Sequence, residues 1–433
     1  PFAYGVSYVT GGQYPRYFRT PRDGGEAQII LDGDKEGAAK SYFSLGGVEH
    51  SHDHMKLIWS YDDAGSEFYS VRIRDLAAGR DAEDLIENTG GGGVFDSTAS
   101  GLFYTLLDEN HRPVAIRYHL LGSAVEDDVT IYEEADPGFF MDVHGSLLND
   151  YIFISINDHE TSEIRMIPAT DPLAEPKIIA PRETGVQYSI AEAGDRFYFL
   201  TNKDAKDFKI CEAPSNDPRP ENWTELVSHK AGRLILSVSA YRDHMVRLER
   251  EDGLPRIVIR DRKLGVEHEV AFAEEAYSLG FQGAGEYDTE VVRFTYSSMT
   301  TPSQTYDYNM RTRERTLLKS QEVPSGHNSE DYVTRRVMAV SHDGELVPVS
   351  LVYRKETKLD GSAPLLLYGY GAYGVSIPSG FNTSILSLVD RGFVYAVAHI
   401  RGGKERGYRW YDAGKREHKP NTFKDFIAAA QYL

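Results

Sequence analysis

Along the first three quarters of the chain, apolar and polar residues alternate in short runs instead of recurring every three or four positions. In "FYSVRIRDL", Tyr69, Val71 and Ile73 alternate with Ser70, Arg72 and Arg74, the period-2 pattern of a strand with one buried face. Such runs come in pairs: "LIWSYDDAGSEFYSVRIRDL" and "IFISINDHETSEIRMIP" each read as strand, polar turn, strand. The pair recurs seven times. Its units begin near Phe2, Gly47, Gly91, Gly138, Gly185, Leu234 and Tyr277, a spacing of 43 to 49 residues. A plain sandwich would place strands about every 8 to 12 residues without this longer period. The long period, with flanking strands around each central pair, predicts a seven-bladed β-propeller.

Near Asn328 the pattern changes. "VTRRVMAVS" and "ELVPVSLVYRK" read as two strands joined by "HDG", an Asp-Gly hairpin signal. "GSAPLLLYGYG" gives a continuous apolar run, which predicts a strand buried on both faces. "FVYAVAHIRGG" predicts another. Between them, "FNTSILSLVDRG" is amphipathic and stops at Gly392, and "NTFKDFIAAAQYL" begins a helix. Thr422 is its expected cap, with Phe423, Phe426, Ile427 and Tyr432 on a helical period. A hairpin followed by alternating strands and helices predicts a sheet that becomes parallel, the beginning of an α/β-hydrolase domain. The expected domains are residues 1–325, the propeller, and 326–433, the N-terminal part of the hydrolase domain.

Composition narrows the function classes. Hydrophobic residues make up 41% and charged residues 26% of the 433, a globular profile. No run of eighteen apolar residues occurs, so no membrane partner is expected. No signal peptide is visible, and because the chain opens on Pro1, a segment ahead of it is expected. Sixty-six acids against 47 bases give a net charge of −19, which disfavours nucleic acid and favours cationic substrates. The lone Cys211 excludes an internal disulfide and a Cys-based zinc site, and fits a reducing, cytoplasmic compartment. Its place in "KICEA" reads as a structural strand position. His50, His52 and His54 in "VEHSHDHMK" would share one face of a strand by alternation, and imidazole is a zinc ligand. No carboxylate or cysteine cluster supports them in the sequence, so they are read as solvated residues and no metal is expected.

An α/β-hydrolase needs a nucleophile elbow, G-x-S-x-G. "GVSYV", "GVSIP" and "GHNSE" each lack the second glycine. Serine, acid and histidine follow one another in that order in this fold, so all three are expected beyond Leu433. The chain alone is therefore expected to be inactive. Within it, the tyrosines and glycines of "LLLYGYGAYG" stand at the exit of a predicted strand, where hydrolase folds present catalytic groups; packing is the competing reading.

"PLLLYGYGAYG", "LVDRGFVYAVAHIRGG" and "NTFKDFIAAAQYL" resemble the start of the catalytic domain of the prolyl oligopeptidase family of serine peptidases. "SYFSLGGVE", "FTYSSMTTP" and "VPVSLVYRK" resemble its oligopeptidase B branch, which cleaves peptides after arginine or lysine. The likeness runs along essentially the whole chain. It implies a serine-type endopeptidase acting on short peptides through an acyl-enzyme, without a cofactor, with the propeller gating access. The second tyrosine of the Y-G-Y-G motif, here Tyr370, is implied to donate its hydroxyl to the oxyanion, while Tyr368 packs. Tyr373 matches a position lining the substrate cleft. In "HIRGGKERGYRW", Gly402 and Gly403 are expected to shape a tight loop, and Arg401 is a substrate-binding candidate, with ion pairing to Glu405 as the other reading. The branch carries acidic residues after the glycine–tyrosine motif. Here "GVSIPSGFN" has none, which weakens the case for a basic preference. An acylaminoacyl peptidase or esterase of the same architecture, and a non-catalytic propeller scaffold, remain as alternatives. No motif addresses the oligomeric state.

Overall fold

The alternating runs form successive antiparallel sheets in which strands adjacent in sequence pair with one another. In this computed structural model, which describes residues 1–283 and 285–433, the chain divides into two units, Pro1–Gln187 and Tyr188–Leu433.

The first unit holds four repeats. Phe2–Ser7, Arg16–Pro21 and Gln28–Asp32 make a three-stranded sheet. The next two repeats, starting at Ser44–His50 and Val94–Phe95, merge into one eight-stranded sheet through the single pair Thr89–Leu106. The fourth runs from Phe140–Gly145 to Lys177–Ala180. The predicted histidine face is not formed. His50 ends its strand and His52 and His54 lie in the following turn, His54 with φ +62°. The turn folds back so that the Tyr4 ring stacks on His50 at 4.2 Å and the Tyr4 hydroxyl lies 2.7 Å from His54 Nδ1.

The second unit holds three four-stranded repeats, beginning at Tyr188–Glu192, Arg233–Ala240 and Tyr277–Phe281, and then a mixed sheet. The period-2 rule is visible in Val291–Ser298, where Val292, Phe294 and Tyr296 are buried and Val291, Arg293 and Thr295 exposed. Those buried side chains pack with Val246, Ile257 and Ile259 of the preceding repeat, so removal of apolar area from water holds neighbouring sheets together. Cys211 is buried on Lys209–Pro214, and burial pushes its thiol pKa up, as expected for a structural cysteine.

The mixed sheet has the order Tyr332–Val340, Leu346–Arg354, Val394–Ala398, Leu365–Tyr368. Its first two strands form the predicted hairpin, with Gly344 at φ +86°. Its last two are parallel. The helix Thr383–Val389 is capped by Asn382, whose side chain accepts from the Ser384 and Ile385 amides, and the chain leaves it through Gly392 at φ +92°. Leu365–Tyr368 has one partner strand among the described residues, and Leu365, Leu366 and Tyr368 are exposed in this 433-residue chain. One expectation is corrected. Thr422 does not cap the last helix, which spans Pro420–Tyr432 with Pro420 in its first turn. Thr422, Asp425 and Ala429 of that helix are buried, Phe426 packs beside them, and Phe423, Ile427 and Tyr432 are exposed.

The mixed sheet is tied to the repeats of its own unit through backbone groups. The Tyr408 amide donates to Asp207 at 2.6 Å and the Gly253 amide to the Glu405 carbonyl at 2.8 Å.

Candidate active site

The segment after Leu365–Tyr368 is shaped by what its glycines allow to approach. A Cβ on Gly369 would stand 2.9 Å from the Phe426 ring. One on Gly371, at φ +64°, would stand 2.5 Å from Thr422 Cγ2 and 2.8 Å from Ile400. Only glycine fits two positions so crowded by the last helix, and at Gly371 the left-handed backbone adds to the demand. The far side of the loop is held as well. Lys419 Nζ donates to the Gly371 carbonyl at 2.5 Å, and the Gly374 amide donates to the Gly402 carbonyl at 2.9 Å. Gly402, at φ +102°, lies where a Cβ would meet the Gly371 carbonyl oxygen at 2.0 Å, so the tight loop expected at Gly402 and Gly403 is present.

Tyr370 sits between these two pinned glycines. Its side chain is 43% exposed, and among the described residues its hydroxyl has no hydrogen-bond partner. The backbone on both sides of it is pinned, and its phenol has a donor hydrogen to offer. Tyr373 is 82% exposed, at φ +54°, on the same loop. Tyr368 is as exposed as Tyr370 in this 433-residue chain.

Arg401 departs from the ion pairing expected of it. It is buried, 3% exposed, and its guanidinium is engaged by two carboxylates. Nε and Nη2 donate to Asp425 at 2.8 and 2.6 Å, and Nη1 to Asp343 at 2.5 Å. Its ion-pair partners are therefore Asp425 and Asp343, not Glu405. Its guanidinium donors are committed inside the fold, to Asp425, Asp343 and Ser341. Burial works against its charge, but the hydrogen bonds to Asp425 and Asp343 outweigh this and raise its pKa. The same Arg401 hydrogen bond holds the Asp343 carboxyl down at about 2. Asp425 is fully buried and also accepts from the Arg401 amide and from Ser341 Oγ. This network fixes the start of the glycine loop at Arg401 and, through the Thr422 hydroxyl on the Arg401 carbonyl at 2.8 Å, the first turn of the last helix.

Asp425, Asp343 and Lys419 were not singled out from sequence. The available signal was Asp425 itself, a carboxylate three residues after Thr422 and four before Ala429, on the small-residue face of an otherwise apolar helix.

Glu405 is buried elsewhere, accepting from the Ile377 amide at 3.3 Å and lying 3.8 Å from His399 Nδ1. His399 Nε2 is 2.8 Å from Ser350 Oγ, to which Ser379 Oγ donates at 2.9 Å. This serine–histidine pair is no reactive centre, since Ser350 is 1% exposed and substrate cannot reach it. The same contacts anchor "GVSIPSGFN": Ser379 bonds into the sheet, and the Phe381 amide donates to Ser297 of the preceding repeat.

Comparison with known proteins agrees with this architecture. Residues 1–321 match the family model described as prolyl oligopeptidase, N-terminal beta-propeller domain, and residues 379–433 match that of the prolyl oligopeptidase family. Dipeptidyl aminopeptidase BI of Pseudoxanthomonas mexicana is 37% identical over 99% of this chain and 62% of its own length. Protease 2 of Moraxella lacunata is 32% identical over 97% of this chain and 62% of its own. Among solved structures, oligopeptidase B from Leishmania major superposes with a TM-score of 0.91 at 29% identity, over all of this chain and 63% of the other. Oligopeptidase B from Trypanosoma brucei, in a closed form with covalently bound antipain, gives 0.88 at 34% identity with the same coverage. The chain thus spans about three fifths of the length of these relatives. A β-propeller followed by the start of a hydrolase sheet, matched by both family models, makes this chain a member of the prolyl oligopeptidase family of serine peptidases.

Proposed function

We propose that this chain is part of a serine oligopeptidase in which Tyr370 stabilises the oxyanion of the tetrahedral intermediate. The observation that carries the reading is the free Tyr370 hydroxyl on a backbone locked between Gly369 and Gly371. Such a donor need not reorganise as negative charge develops on the carbonyl oxygen, the condition under which one hydrogen bond lowers a barrier by about 3 kcal/mol. The nucleophilic serine and its histidine and aspartate partners are assigned to residues outside these 433, which hold no G-x-S-x-G. The 433-residue chain alone is then expected to hydrolyse nothing. Serine attack assisted by histidine, with Tyr370 Oη donating to the oxyanion, gives an acyl-enzyme that water resolves. Substrates are short peptides, with propeller repeats excluding folded proteins. Cleavage after arginine or lysine is supported by the net charge of −19 and by the similarity to proteins named oligopeptidase B.

The experiment is steady-state kinetics of the full-length enzyme and its Tyr370→Phe variant. A loss of roughly a hundredfold in kcat with little change in KM is expected, since the donor acts in the transition state. Both constants staying at wild-type values would refute the Tyr370 assignment. Arg-containing peptides and acyl esters assayed side by side separate the peptidase from an esterase.

A further inference from the structure

Between the fifth, sixth and seventh repeats lies a cavity of about 670 Å³, within the size range of small-molecule sites. It is lined by five cationic side chains, Arg196, Arg242, Arg260, Arg262 and Lys263, against two carboxylates, Asp195 and Glu212. Arg196 pairs with Glu212 at 3.4 Å and Arg260 with Glu267 at 3.3 Å, so the charge this pocket can offer a ligand comes from Arg262, Arg242 and Lys263.

Arg262 is the distinctive group. It donates through Nη1 to the Tyr241 and Arg242 carbonyls at 3.0 and 2.9 Å and to the Tyr287 hydroxyl at 2.7 Å, and through Nη2 to the Ala193 carbonyl at 2.8 Å. All four acceptors are neutral, and among the described residues no carboxylate pairs with it. Its position is fixed while its charge is uncompensated. The enclosing loops are fixed too: the Arg242 amide donates to the Tyr287 carbonyl at 2.9 Å, and Gly194, at φ +79°, lets the Tyr287 hydroxyl approach to where a Cβ would stand 2.9 Å away.

At the rim the cations are only loosely committed. Arg242 pairs with Asp288 at 2.6 Å and Lys263 with Asp243 at 3.0 Å, with the arginine side chain 59% and the lysine 81% exposed. Exposed pairs of this kind hold by about 1 kcal/mol or less, so both side chains can turn to a better acceptor. Strands in each repeat alternate in direction, so the turns at 193–195, 241–243 and 262–266 share one edge of the sheets. The loops that touch the mixed sheet, through Asp207 and Gly253, lie on the other.

We propose that this pocket binds a small multivalent anion carrying phosphate or carboxylate groups, at the sheet edge remote from Tyr370. Arg262 supplies the fixed charge at the floor, and Arg242 and Lys263 exchange their rim carboxylates for the ligand. The test is isothermal titration of the protein with inorganic pyrophosphate and, separately, with citrate, at low ionic strength. Saturable binding of at least one is expected; pyrophosphate alone marks a phosphate ligand and citrate alone a carboxylate one. The Arg242→Glu/Lys263→Glu double variant is expected to bind at least roughly tenfold more weakly, and Arg262→Gln to lose binding. Arg293→Glu/Lys319→Glu reverses the same number of charges on seventh-repeat strands outside the pocket and is expected to bind like wild type. No saturable binding of either anion at millimolar concentration would overturn the proposal, as would equal weakening in the two double variants.

Discussion

Replacing Asp425 by alanine tests the reading of the Arg401 network most directly. Asp425 is fully buried and accepts four hydrogen bonds, three from Arg401 and one from Ser341. Its loss leaves a guanidinium that is 3% exposed with Asp343 as its remaining carboxylate. Removing one partner of a buried ion pair costs about 3–5 kcal/mol, because the other charge stays behind undersolvated. Asp343 provides the internal comparison. Its side chain is 36% exposed, so water replaces it at Arg401, and Asp343→Ala should cost about 1 kcal/mol. Urea denaturation followed by tryptophan fluorescence reads both, because the fully buried Trp410 ring lies 5.7 Å from the Arg401 guanidinium. With m near 3 kcal/mol per molar, Asp425→Ala should lower the midpoint by about 1 M or more. A cost for Asp425→Ala no larger than that for Asp343→Ala would refute the reasoning. Arg401→Met sharpens the point: it should destabilise the fold, whereas a substrate ligand would raise KM and leave stability unchanged.

Two further outcomes follow from the same region. Asp343 titrates at about 2 in the folded protein, below the roughly 3.9 of an unfolded aspartate. Its stabilisation is therefore present above about pH 4 and lost as the pH falls toward 2, so the stability gap between wild type and Asp343→Asn should close over that window; a gap constant with pH would contradict it. Gly371→Ala would place a methyl 2.5 Å from Thr422 Cγ2 at φ +64°. It should cost at least about 2 kcal/mol by denaturation and lower kcat of the full-length enzyme by displacing Tyr370; unchanged values in both would remove the case for a locked loop.

The sequence by itself determined the repeat, the hairpin and the parallel strand pair. Period-2 alternation and turn chemistry act between residues close in the chain, and the strands at Phe2, Ser44, Phe140, Tyr188, Arg233 and Tyr277 begin within a few residues of the predicted starts. The glycine–tyrosine alternation was equally legible as a special segment. Tertiary structure decided the rest. Arg401 found its partners 24 and 58 residues away, a choice no local pattern encodes. The helix Pro420–Tyr432 set Thr422, Asp425 and Ala429 inward, with Asp425 as the buried counter-charge of Arg401. Apolar character states what a residue prefers; which surface meets it is fixed only when distant segments pack.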